Sequence, residues 1–174
     1  MDSAQHDFGE IRALKVTAIG EPGKRTFYFS IASDYGCAKI WLEKEELYGL
    51  AMALKQLLHS LAEDEEMGIG LGLDAEIDYS LSEPDVVEFK LGYLTLHYDG
   101  DLQRFFFSVF DVQEGKAADA KVRFLATAEQ VEDLVGEALS AFAGGRPICP
   151  FCHRPIDPGA HFCPSRNGSR QSNG

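Results

Sequence analysis

Cys149-Pro150-Phe151-Cys152 is followed by His161-Phe162-Cys163, a C-x2-C-x8-H-x-C spacing near the end of a 174-residue chain. Three thiolates and one imidazole make a donor set for a tetrahedral zinc ion. The two-residue gap between Cys149 and Cys152 lets both sulfurs reach one ion from a tight turn. His161 and Cys163 close the site from a second short turn. His153 is a substitute ligand by position, but His161-x-Cys163 mirrors the first knuckle and is better placed. Four protein ligands leave no open coordination position, so the ion is expected to be structural and not to activate water. Pro150, Pro155, Pro158 and Pro164 stiffen the turns around the ligands. A module this small has no core of its own, and metal binding is expected to supply most of its folding energy.

No second constellation of this kind stands in the sequence. Gly68-x-Gly-x-Gly72 lacks the Lys-Ser/Thr of a phosphate loop and sits among carboxylates. No G-x-S-x-G and no His-Glu-x-x-His occurs. Glu43, Glu45 and Glu46 suit the positive end of a helix. His6, His59 and His97 read as surface or hydrogen-bonded residues, and Cys37 as a small buried residue on a strand. Lys24 and Arg25 follow the rigid turn Gly20-Glu21-Pro22-Gly23 and are candidate clamps for a partner or an anion. Arg154 and Arg166 are candidate partner contacts on the zinc module.

The elements that must position these residues form two similar halves. A strand is expected over Glu10–Ile19, a second over Arg25–Ala32 and a third over Cys37–Leu42. A helix from Lys44 to Ala62 follows, with Leu47, Leu50, Ala51, Leu54, Leu57, Leu58 and Leu61 on its buried face. The second half repeats this order. Val86–Tyr98 is a strand or bulged pair broken at Gly92, and Asp99-Gly100 signals a hairpin. Arg104–Val112 and Lys121–Ala126 follow, then a helix over Ala128–Ala143 capped by Thr127 with Gln130. Its stripe of Val131, Leu134, Val135, Ala138 and Phe142 matches that of the first helix. The fold class is therefore α+β. Two β-β-β-α units, read as an internal duplication, form an antiparallel sheet of six or seven strands with two helices on one face.

The units span about 10–62 and 85–144 within a domain of residues 1–144, joined by an acidic linker over 63–84. The zinc knuckle takes 145–166, and 167–174 is a flexible tail. Residues 145–174 hold four arginines and one aspartate, a net +3, which leaves −15 on residues 1–144. Such a body repels phosphate backbones. Tyr28 and Phe106 alternate away from the phenylalanines beside them and offer a stacking platform for single-stranded bases, a reading the body's charge opposes. The polar start, without a signal-peptide pattern, and the lack of any run of about 18 apolar residues point to a cytoplasmic protein off the membrane.

Several segments together resemble one known family. They are Gly20-Glu-Pro-Gly-Lys-Arg-Thr-Phe27, Leu42-Glu-Lys-Glu45, Gly145-Arg-Pro-Ile-Cys-Pro-Phe-Cys152, Ile156-Asp-Pro158, His161-Phe-Cys-Pro164 and Asn167-Gly168. The family is the largely actinobacterial one catalogued as domain of unknown function 3090. The resemblance implies a functional link to a phosphomutase-like and a phosphatidylinositol-kinase-like protein. The leading expectation is a non-enzymatic zinc-binding adaptor that docks to a partner protein. The alternatives are a single-stranded nucleic-acid binder, and an enzyme acting on a phosphorylated small molecule in a cleft between the two units.

Overall fold

Alternation of large apolar residues fixes which side of each strand faces inward. In β3 (Thr26–Ser33) Phe27, Phe29 and Ile31 are buried while Tyr28 and Ser30 are half-buried. The same period of two recurs in β4 (Gly36–Leu42), β6 (Arg104–Asp111) and β7 (Ala120–Ala126). Three further strands are β1 (Ala4–Glu10), β2 (Ala13–Ile19) and the long β5 (Val86–Asp99). The helices are α1 (Lys44–Asp64), α2 (Ala128–Ala143) and the short α3 (Pro164–Asn167). The computed structural model describes residues 3–21, 23–64, 86–144, 149–156 and 161–167. The linker expected over 63–84 lies outside the described residues from 65 onward, as do Gly68–Gly72 and the tail from 168. Among the described residues no helix is long and apolar enough to cross a membrane.

The seven strands form one mixed sheet in the order β1-β7-β6-β5-β4-β3-β2. The expected all-antiparallel sheet is corrected here, because β1 pairs parallel with β7 and β4 parallel with β5. A parallel pair needs a long crossover, and α1 with the segment after it supplies one between β4 and β5. The strand expected over Glu10–Ile19 is divided. Its start belongs to β1, and the chain changes partner at Ile11 and Arg12. There Ile11 donates its N–H to Leu125 at 3.0 Å and Arg12 donates to Ala32 at 2.8 Å. Since β1 and β2 stand at opposite ends of the strand order, these two residues join the ends of the sheet.

β5 changes partner in the same way. Cys37–Trp41 pair with Val86–Lys90, and the rest of β5 pairs antiparallel with β6. The change falls at Gly92, where the register shifts between Leu91 and Tyr93. A Cβ on Gly92 would lie 2.9 Å from the Val112 backbone, so the bulge admits only glycine. A turn at Asp34–Tyr35 joins β3 to β4, and the turn after Asp99 closes the expected hairpin of β5 and β6.

The helices complete one core. Leu47, Leu50, Ala51 and Leu54 of α1 and Val131, Leu134, Val135, Ala138 and Leu139 of α2 share a cluster with the inward residues of the strands. Gln130 of α2 donates to the Ile11 carbonyl at 2.9 Å, and Glu137 accepts the Val16 N–H at 2.8 Å. The helix thus holds the junction between β1 and β2 and satisfies an edge N–H of β2. At its start, the Thr127 hydroxyl accepts the Gln130 N–H while the Gln130 side chain accepts the Thr127 N–H, the expected capping box. Thr127→Ala is expected to cost about 1 kcal/mol, read from the urea midpoint, with Thr127→Ser close to the parent.

Candidate metal centre

The first half of the site is one tight turn. His153 donates its N–H to the Cys149 carbonyl and Cys149 donates to Arg154, both at 2.9 Å. His153 takes φ 57°, the left-handed conformation that reverses the chain after Cys152. The second half is the extended stretch His161–Cys163, which runs into α3 with Pro164 at its first position.

These two pieces bring Cys149, Cys152, His161 and Cys163 together, with their ligand atoms all within 4.8 Å of one another. The Cys149 and Cys163 sulfurs are 3.8 Å apart, and the Cys152 sulfur lies 3.4 Å from His161 Nε2. Tetrahedral bonds of about 2.3 Å to sulfur and about 2.0 Å to nitrogen require edges of about 3.8 Å and about 3.5 Å. The two measured edges match these values, and the group could hold a metal ion. All three cysteines are buried and His161 is half-buried.

The turn also prepares a thiolate. The Cys152 N–H, directed at the Cys149 sulfur, is the largest influence there. With the Phe151 N–H and the Cys152 and His161 side chains it outweighs burial and lowers the Cys149 pKa to about 6. Burial pushes the Cys152 thiol the other way, and the neighbouring Cys149 and Cys163 add to the rise. A cation placed among the sulfurs would offset that cost.

The module sits on α1. The Tyr48 hydroxyl donates to the Cys152 carbonyl at 2.7 Å, and Lys55 Nζ lies 2.9 Å from His153 Nε2. Burial first and Lys55 second lower the His153 pKa, and the ring is held by the lysine and not among the ligands. The Arg154 guanidinium lies over the Tyr48 ring at 5.2 Å, and that ring lies 4.7 Å from Phe142 of α2. Tyr48 and Lys55 are seven residues apart and so share one helix face, the only signal the sequence offered for this contact. Tyr48→Phe removes the donor to Cys152. The expected loss is about 0.5–1.5 kcal/mol, seen as faster transfer of an added metal ion to a chelator.

The other candidates are dispersed. Lys24 is exposed, whereas Arg25 lines a cleft with Gly23, Phe27, Lys44, Phe142 and Gly144. Arg154 is exposed apart from its stacking on Tyr48. Arg166 lies in α3, its side chain outside the described residues. Tyr28 and Phe106 do face away from their neighbouring phenylalanines, but both are half-buried. Trp41 lies 4.9 Å from Tyr28, with Lys39 over its ring, and His97 stacks on Phe106 at 4.7 Å. Cys37 is half-buried, and burial raises its pKa.

Comparison with curated proteins and with solved structures returns no match. The model of the family described as "Protein of unknown function (DUF3090)" matches residues 6–163. That span runs from β1 through the last cysteine of the metal group, and the protein belongs to this family.

Proposed function

We propose that the chain is a non-enzymatic cytoplasmic adaptor whose C-terminal module, residues 145–166, is built on a structural zinc ion and docks to a partner protein. The carrying observation is the Cys149, Cys152, His161 and Cys163 group. Three sulfurs and one imidazole nitrogen gathered within 4.8 Å of one another favour zinc, and four protein ligands would leave no position for a reacting water. The module's surface supports docking, since Phe162 is 74% exposed and Phe151 55% exposed beside the exposed Arg154. Rigid exposed aromatics next to arginine are the residue types that anchor interfaces. Lys24 and Arg25, on the body, remain secondary candidates for partner contact. The body, residues 1–144, is read as a duplicated β-β-β-α unit with both helices on one face. The shared pairing scheme of β1–β2 and β5 supports this reading.

The link implied by the family resemblance makes the phosphomutase-like and phosphatidylinositol-kinase-like proteins the partners to try. Each is co-expressed with the full chain and the mixture is resolved by size-exclusion chromatography. The expected result is a complex that Phe162→Ala weakens while zinc content stays unchanged. A complex indifferent to Phe162→Ala, or none with either protein, counts against the adaptor reading. Single-stranded nucleic acid is the second reading, because Phe151 and Phe162 also offer rings for base stacking. It expects a gel shift that fades with salt and with Arg154→Ala, and the −15 body opposes it.

A further inference from the structure

We infer that the cleft between the β2–β3 turn and the last turn of α2 is a binding site for a small organic phosphate. The cleft has a volume of about 620 Å³, within the range of small-molecule sites. Gly23, Arg25, Phe27 and Lys44 line it from the first half of the chain, and Ala141–Gly144 from the second.

Two cations without a carboxylate partner share this cleft. Arg12, Arg104 and Arg123 each pair with a carboxylate, as do Lys15, Lys90 and Lys121. Among the described residues Lys24, Arg25, Lys39, Lys44, Lys55 and Lys116 pair with no carboxylate, and of these Arg25 and Lys44 line the cleft together. Both converge on the end of α2. An Arg25 guanidinium nitrogen lies 3.2 Å from where a Cβ on Gly144 would stand, and Lys44 Nζ is 4.9 Å from the Phe142 ring centre.

Two cations without a counter-charge suit a dianion. The planar guanidinium can grip two phosphate oxygens while the lysine acts as a point charge. Phe27 and Phe142, both nearly buried, give the cleft an apolar floor for the organic part of the ligand. Lys24, expected alongside Arg25, does not line the cleft. Lys44 takes the second position instead.

The rival explanation is charge compensation. α2 has no basic residue in its last turn, and nearby cations would stabilise its carboxyl end. The experiment separates the two. Phenyl phosphate is titrated into the zinc-loaded full chain by calorimetry, with inorganic phosphate and phenol as comparisons. The amide signals of Gly23 and Gly144 are followed by NMR. Saturable binding of phenyl phosphate that shifts both amides is expected. Arg25→Ala and Lys44→Ala should each weaken it about tenfold or more, with Lys24→Ala unchanged. If Arg25→Ala does not fold, Lys44→Ala, at an exposed position, still decides. No saturable binding, with stability lowered in both variants, overturns the proposal in favour of charge compensation. Equal binding of inorganic phosphate overturns the organic ester, and binding that moves neither amide overturns the location.

Discussion

Cys163→Ser is expected to abolish zinc binding and to unfold the C-terminal module while the body keeps its structure. The module's own buried cluster is Cys149, Cys152 and Cys163, with Ile156 packed against it. Three cysteines and one isoleucine bury too little apolar surface to order a chain segment. The metal must supply that free energy, and structural zinc in small peptides binds with about 10–16 kcal/mol at neutral pH. Serine offers a poor ligand in place of a thiolate 3.8 Å from the Cys149 sulfur. Elemental analysis should find zinc near one equivalent per chain in the parent and little in the variant. Amide exchange should rise over 149–163, with the urea midpoint of the body almost unmoved, since the larger core contains no module residue. A variant that loses the metal and keeps an ordered module would contradict the reading.

The largest effect on the body is expected from Phe107→Ala. Phe107 is 1% exposed and Phe124 is fully buried, and their rings stack at 4.6 Å with 7° between planes. They belong to adjacent strands, β6 and β7, opposite each other in register. Truncation leaves a cavity that surrounding strands close only in part, at a cost of about 3–5 kcal/mol. That is a large fraction of the 5–15 kcal/mol, roughly, that holds a domain together. Urea denaturation should show the loss, and Phe107→Leu should recover most of it. A loss below about 1 kcal/mol would mean that this pair is not part of a close-packed core.

Local pattern carried the elements and failed at their neighbours. Phe27, Phe29 and Ile31 announce a strand and its buried side, and the leucine stripe of α1 announces a helix. Thr127 with Gln130 marks where α2 begins, and Gly92 marks the bulge. Each of these signals is written within a few residues. Parallel pairing of Ala4 with Ala120, or of Cys37 with Val86, depends on contacts far apart in sequence. Alternation says which side of a strand is buried, not which strand lies beside it. The division of the first strand at Ile11 and Arg12 was hidden for the same reason. Both halves keep a strand-like pattern, and only the carbonyls of Leu125 and Ala32 reveal the change of partner.

The metal group was legible because thiolates and imidazoles at knuckle spacing have few other uses. Its seat on the body was not. Tyr48 and Lys55 look like the exposed face of an amphipathic helix until Cys152 and His153 are placed against them. Lys44 was equally hidden, as the first residue of α1 beside a run of glutamates, where the fold instead turns it toward Phe142.

X-ray absorption at the zinc edge of the purified full chain tests the central claim most directly. The expected shell is three sulfurs at about 2.3 Å and one nitrogen at about 2.0 Å, with no further oxygen. That result matches a closed site made by Cys149, Cys152, His161 and Cys163. A shell with fewer sulfurs and a bound water would mean an open site. It would contradict the structural role proposed for the metal and favour a catalytic one.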